Sequence, residues 1–156
     1  MIILYTDGGC NNTTDKRGAY CYIAIETQLN LLRSDVQHGV MVFSGGNRLT
    51  SSTNNIAEME AVLNGLVVCY AKNIIPDYIV TDSQYVQKGL TEWSDGWRCR
   101  GWRNSMGQQV SNLLLWKELI KEWDKIKHHT KIVHVRGHKG IYWNEQCDLV
   151  CRKLMA

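Results

Sequence analysis

The sequence predicts an α/β protein with a mixed sheet flanked by helices, and three observations carry that prediction. Two apolar runs end alike: Ile2-Ile3-Leu4-Tyr5 runs into Thr6-Asp7, and Tyr78-Ile79-Val80 into Thr81-Asp82. Runs this apolar read as strands buried on both faces. Between them, Ile56, Met59, Leu63, Leu66, Val67 and Tyr70 recur at helical spacing, and a helix joining two strands favours a right-handed parallel crossover. Ahead of that unit, residues 19–43 are β-rich and broken by polar turns, the pattern of an antiparallel meander. With 156 residues the chain fits a single domain, 1–156, able to bury a sizeable core.

Taken in order, residues 1–7 form a strand that presents Asp7 at its end, and Gly8-Gly9 allow close approach of backbone or ligand. Asn11 to Gly18 is a polar turn. Ala19 to Ile25 is the second strand, and Leu29 to Phe43 supplies the third, with Gly39 as a bend or bulge before Ser44-Gly45-Gly46. Ser51-Ser52-Thr53-Asn54-Asn55 is a helix start, and Lys72-Asn73 with Pro76 closes that helix. After the Tyr78–Asp82 strand, Ser83-Gln84 opens a short helix ending near Gly89. Residues 93–108 lack clean periodicity. Leu113 to Lys127 is a helix with Leu115, Leu119, Trp123 and Ile126 on one side. Ile132 to Val135 is the last strand, Arg136 to Gly140 a loop, and Asn144 to Leu154 a terminal helix. The order implies five strands, three antiparallel followed by two parallel, with helices on the faces.

Composition narrows the function classes. Apolar content of 44% and charged content of 21% suit a soluble globular protein. No 18-residue apolar run is present and no basic segment leads into one, so neither a membrane span nor a signal peptide is expected, and the cytoplasm is the default. The six cysteines contain no CxxC pair and fit no zinc pattern, so reduced thiols are expected, with Cys147 and Cys151 sharing a helix face. Charge is unevenly spread. Residues 1–92 hold six Lys/Arg against nine Asp/Glu, whereas residues 93–139 hold ten against four. One part of the surface is built to meet a polyanion while another gathers acids.

Parallel neighbouring strands would set Asp7 and Asp82 side by side, roughly 5 Å apart. Anions that close repel unless a cation joins them, and hard oxygen ligands select Mg²⁺ or Mn²⁺. Glu58 falls in the first turn of the following helix, and Glu60 lies about 200° further round, so periodicity allows either one, not both, to join the aspartates. Asp148 is placed near the start of the last helix, and His138, in a glycine-bounded loop, can exchange protons near neutral pH. His38, His128, His129 and His134 read as surface or strand residues.

Tyr5-Thr6-Asp7-Gly8-Gly9, Thr53-Asn54-Asn55-Ile56-Ala57-Glu58, Thr81-Asp82-Ser83-Gln84-Tyr85, Gly137-His138-Lys139-Gly140 and Asn144-Glu145-Gln146-Cys147-Asp148 together resemble ribonuclease H type 1, in that family's order and along the whole chain. The resemblance implies an RNase H-like fold and an endonuclease acting as a monomer on the RNA strand of RNA–DNA hybrids. It implies Asp7, Glu58, Asp82 and Asp148 as ligands of two Mg²⁺ ions, with Mn²⁺ as a substitute, and His138 as an aid to proton transfer or product release. Products would carry 5′-phosphate and 3′-hydroxyl ends.

Trp93 to Arg103 holds three tryptophans and three arginines. It resembles the family's basic protrusion, here about 91–112. Arg98, Arg100 and Arg103 would meet DNA phosphates. Tyr85, Trp93 and Trp97 would pack on deoxyribose, while Trp102 and Trp116 support them from beneath. Thr53 and Asn112 match a DNA-phosphate pocket whose usual arginine is replaced by Ser51, with Arg48 as a candidate substitute. Asn54, Asn55 and Gln84 match minor-groove contacts. The chain departs from the pattern at Gly9, at Thr13 and the loop around it, in a longer 27–39 segment, and at Trp143. An integrase-like core would use three acids, and the fourth, Asp148, argues against it. A catalytically dead hybrid-binding subunit is disfavoured because all four acids are present.

Overall fold

The computed structural model describes residues 1–11, 15–28, 39–136 and 140–156. Its five strands are β1 (Ile2–Cys10), β2 (Gly18–Glu26), β3 (Val40–Leu49), β4 (Tyr78–Thr81) and β5 (Lys131–His134), arranged β3-β2-β1-β4-β5. β1 pairs antiparallel with β2 and parallel with β4, and β4 pairs parallel with β5. The helices are α1 (Asn54–Ala71), α2 (Gln84–Lys88), α3 (Ser94–Cys99), α4 (Leu113–Asp124) and α5 (Tyr142–Met155). The expected mixed sheet with flanking helices is the fold observed.

Alternation along the central strands builds two cores. Leu4 and Ile79 point into one, with Met59 and Val62 of α1 and Trp116 of α4. Ile3, Tyr5 and Val80 point into the other, closed by Cys147 and Cys151 of α5. The two thiols share the buried face expected of their spacing, and Cys147 is fully buried.

Several boundaries differ from expectation for physical reasons. β1 does not stop at Asp7. Its pairing with the short β4 ends at Tyr5 opposite Val80, while its pairing with β2 continues to Cys10 opposite Gly18. Asp7 therefore sits where one flank of a continuing strand is uncovered. The third strand is Val40–Leu49, and Ser44-Gly45-Gly46 lie inside it. Both glycines make room for β2, because a Cβ on Gly45 would strike the Tyr22 ring and one on Gly46 the Tyr20 carbonyl. The irregularity in this ladder falls at Ala24/Ile25, opposite Phe43 and Met41, not at Gly39. The 29–38 portion of the expected third strand and of the longer 27–39 segment, with His38, lies outside the described residues, as does Thr13.

Gly89 does not end a helix. It stays helical, and α2 runs through a π-helical turn (Gly89–Trp93) directly into α3. A Cβ there would collide with the Trp116 ring, so this glycine serves close packing. α1 begins at Asn54, capped by Thr53 Oγ1, which accepts from Ile56 N at 3.1 Å. Glu58 is consequently in the second turn, beyond the strongest reach of the helix dipole. Asp148 lies mid-helix, because α5 starts at Tyr142. Among the described residues, no helix is long and apolar enough to cross a membrane.

Candidate active site

The uncovered flank of β1 faces a cleft of about 480 Å³ lined by Asp7, Glu58, Asp82 and Asp148. Each acid arrives by a different route. Asp7 is held in the β1–β2 ladder opposite Cys21. Asp82 directly follows β4. Glu58 comes from α1, which presses onto β1 at Gly8; a Cβ on Gly8 would run into the Ala57 carbonyl. The contact is sealed by Gly8 N–H, which donates to Glu58 Oε1. Glu60 points elsewhere and accepts from Asn64 Nδ2 at 2.8 Å. The approach at Gly8 thus chooses between the two glutamates.

One carboxylate oxygen each from Asp7, Glu58 and Asp82 lies within 4.8 Å of the others. Asp7 is only 2% exposed and Glu58 only 8%. Burial, reinforced by the charges of Asp82 and Asp148, lifts the Asp7 carboxyl from 3.8 to about 8. Burial first, and then the neighbouring Asp82, pushes Glu58 well above the usual carboxylate range. Anions so close and so dry demand either protons or a cation. An all-oxygen donor set of this kind suits a hard divalent ion such as Mg²⁺ or Mn²⁺.

Asp148 lines the same cleft from α5, and its Oδ2 pairs with Arg152 at 2.8 Å one turn along the helix. His138 lies outside the described residues. Sequence reasoning passed over Cys10, Ser83, Cys151 and Met155, which complete the lining. The floor is tied down locally. Cys10 N donates to Asn54 Oδ1 at 2.9 Å, and Ser83 Oγ accepts from Val86 N at 3.1 Å to cap α2. Asn54, Asn55 and Gln84 are exposed along the cleft, whereas Thr53 spends its hydroxyl on the α1 cap. Arg48 is exposed on β3.

Tyr85 forms the corner between the acids and the basic segment. Its Oη accepts from Trp116 Nε1 at 2.9 Å and Asn112 Nδ2 at 3.2 Å. Its ring meets Trp93 and Trp116, with centroids 6.1 and 5.2 Å away. Trp93 is 38% exposed, but Trp97 is only 7% exposed, 5.1 Å from the Trp116 ring. Trp97, expected as a sugar contact, is therefore a core residue packed against Trp93 and Trp116. Trp116 is fully buried, and Trp102 is half-buried with Lys117 Nζ 5.2 Å over its ring. The arginines are held as well. Arg98 pairs with Asp124 at 2.7 Å. Arg103 donates to Gly107 O at 2.9 Å, and Arg100 Nε to Arg103 O at 3.3 Å.

Comparison with known proteins matches this chain to the RNase H family model over residues 1–155. A ribonuclease H of Aeromonas salmonicida (strain A449) is 39% identical over 151 residues, covering 97% of this chain and 87% of that protein. One from Cyanothece sp. (strain PCC 7425 / ATCC 29141) is 34% identical over 163 residues, covering 98% and 88%. The crystal structure of LC9-RNase H1, a type 1 RNase H with the type 2 active-site motif, superposes with a TM-score of 0.80. Its identity is 22%, over 99% of this chain and 71% of that one, a likeness of fold.

Proposed function

The chain belongs to the RNase H family and is a hydrolase, a ribonuclease H, and from that premise we propose that it cuts the RNA strand of RNA–DNA hybrids, leaving 5′-phosphate and 3′-hydroxyl ends. The observation that carries this reading is the convergence of Asp7, Glu58 and Asp82 oxygens within 4.8 Å in an open cleft. With Asp148 they would hold two divalent cations, Mg²⁺ foremost and Mn²⁺ as an alternative. Bound there, such ions supply positive charge to a phosphodiester that gains negative charge in the transition state, and they favour an ionised water as nucleophile.

The chain's own residues do the positioning. Asp7, in a paired strand, and Glu58, on a helix pressed against it, keep their carboxylates in fixed relation. Gly8 and Gly9 lie along the cleft, where a sugar–phosphate backbone can approach. His138 assists proton transfer or product release. Asn54, Asn55 and Gln84 line the path of the minor groove. Tyr85 and Trp93 form the platform for deoxyribose, backed by the buried Trp97, and Thr53 and Asn112 contribute to a DNA-phosphate pocket. Arg98, Arg100 and Arg103, in the protrusion at about 91–112, meet DNA phosphates. A 2′-hydroxyl is excluded from the platform, so strand choice follows from the sugar and not from base sequence. The enzyme works as a single-domain monomer in the cytoplasm.

The test is one nucleotide sequence offered as RNA–DNA hybrid, double-stranded RNA, double-stranded DNA and single-stranded RNA, with and without Mg²⁺. Cleavage of the hybrid alone, and only with the cation, is expected. Equal cutting of double-stranded RNA, or cutting of the hybrid in EDTA, would overturn the reading.

A further inference from the structure

His134 ends β5 and reads in the sequence as an ordinary strand residue, yet its ring reaches the main-chain carbonyl of Asp82, one of the clustered acids. The β4–β5 ladder ends with Thr81 opposite His134, and Val135 N still reaches Thr81 O at 2.9 Å. The next peptide unit, between Asp82 and Ser83, has left the sheet and needs other partners for its two polar groups. Side chains supply both. Ser83 N donates to Thr81 Oγ1 at 3.0 Å. His134 Nε2 lies 3.0 Å from Asp82 O. A carbonyl oxygen only accepts, so Nε2 is the donor.

We propose that His134 is a positioning residue: its Nε2–H fixes the plane of the Asp82–Ser83 peptide, and with it the direction in which the Asp82 carboxylate enters the cluster. The inference rests on reading Asp82 as a metal ligand. Asp7 and Glu58 need no such prop, because their backbones lie inside a strand ladder and a helix. Asp82 lies between the last residue of β4 and the cap of α2, in neither element. With one side of its peptide released, rotation about the Asp82 Cα–C bond would loosen the link between backbone and carboxylate. A displacement of about 1 Å in such a site can cost on the order of a hundredfold in rate. Outer hydrogen bonds of this kind are worth roughly tenfold to a hundredfold in metal affinity or activity.

Two variants of the full chain isolate the donor. His134→Gln places an amide N–H at the same number of bonds from Cα, and His134→Met has a similar shape without a donor. Both are measured for kcat and KM on hybrid, and for Mg²⁺ affinity without substrate through the Mg²⁺-dependent rise in Tm. His134→Met is expected to lower kcat about tenfold and raise the half-saturating Mg²⁺ concentration about tenfold, with KM within about twofold. His134→Gln is expected to recover most of both losses. A native Mg²⁺ response in His134→Met overturns the inference, and so does a Gln variant as impaired as the Met variant, which would assign the effect to ring packing. If His134→Met does not fold, His134→Phe takes its place as the variant lacking a donor. Asp82→Asn separates the two readings. If it keeps cleavage and the Mg²⁺ response, the assignment of Asp82 fails and takes this inference with it. If it loses them while His134→Met stays native, only the inference fails.

Discussion

The acid cluster and the basic segment meet at Tyr85, yet they are built in opposite ways. Two of the acids, Asp7 and Glu58, ride on long elements: β1, paired over its full length with β2, and an 18-residue α1 pressed onto it. Their charges are buried, close together and mutually hostile. The basic segment has a π-helical turn, a six-residue helix and non-glycine residues at positive φ, Trp102 and Asn112. Its charges are exposed, and its rigidity comes from a row of aromatic rings beneath them. Buried like charges at a fixed spacing can select a small hard cation. Exposed charges on a short, irregular scaffold suit a long polyanion, where total charge counts for more than sub-ångström placement.

The sharpest way to break this contrast is to remove one buried charge. Asp7→Asn should lower Mg²⁺-dependent cleavage by on the order of a thousandfold, while hybrid binding, read by fluorescence anisotropy, stays within about threefold because the basic segment is untouched. It should also raise the Tm of the metal-free protein near neutral pH, since the buried carboxyl must either take up a proton or sit charged beside its neighbours, and an amide need do neither. Near-native cleavage would detach Asp7 from the chemistry.

The basic segment should respond to charge loss in affinity and salt dependence, and unequally among its arginines. Each phosphate contact contributes about 0.9 to the slope of log affinity against log salt. Arg98 already pairs with Asp124 at 2.7 Å, with both side chains 36% exposed, so part of its charge is answered within the protein. Changing Arg100 and Arg103 together to Ala should therefore raise KM about tenfold and reduce the salt slope by roughly 2. Adding Arg98→Ala should change the slope by less than a further unit. Salt dependence unchanged in the triple variant would remove the segment from substrate binding.

The two regions also differ in how much of them local sequence could reveal. Apolar runs ending in Asp7 and Asp82 announced both strands and their acids, because a doubly buried strand is apolar along its whole length. The choice of Glu58 over Glu60 was invisible to periodicity. It depends on α1 touching β1 at Gly8, a contact between residues fifty positions apart. Gly45-Gly46 looked like a break because the tyrosines of β2 that need the space lie in another strand. Gly89 looked like a stop for the same reason, its partner being Trp116. In the basic segment, the count of tryptophans was legible but their roles were not. Trp93 and Trp97 stand four residues apart, and only the position of Trp116 decides that one is exposed and the other buried. His134 carried no local signal, since its partner is a main-chain carbonyl.

The smallest expected effect is on stability, and it tests whether burial, not mere proximity, governs the acid cluster. The Asp7 carboxyl is raised from 3.8 to about 8, chiefly by desolvation. Between those values the folded protein holds a proton that the unfolded chain releases. Protonation thus stabilises the fold fully below about pH 4, and that contribution is lost as pH rises towards 8. Glu58, raised for the same first reason, acts in the same direction. Asp77 opposes them. The Ile2 N–H foremost, with His129 beside it, holds its carboxyl below 3.8, so its contribution is lost only as pH falls below that value. Scans from pH 5 to 8.5 in EDTA therefore leave Asp77 out and follow the cluster. The Tm should fall by several degrees across that range, at about 3 °C for each kcal/mol in a chain of this size. Excess Mg²⁺ should flatten the fall, because a cation then meets the ionised acids and binds the folded state alone. The basic segment's arginines are exposed and do not line the acid cleft, so changing Arg100 and Arg103 to Ala should leave the EDTA profile parallel to that of the native protein. A flat profile in EDTA would mean that the acids are better hydrated than their burial implies, and the contrast between the two regions would then be one of charge sign alone.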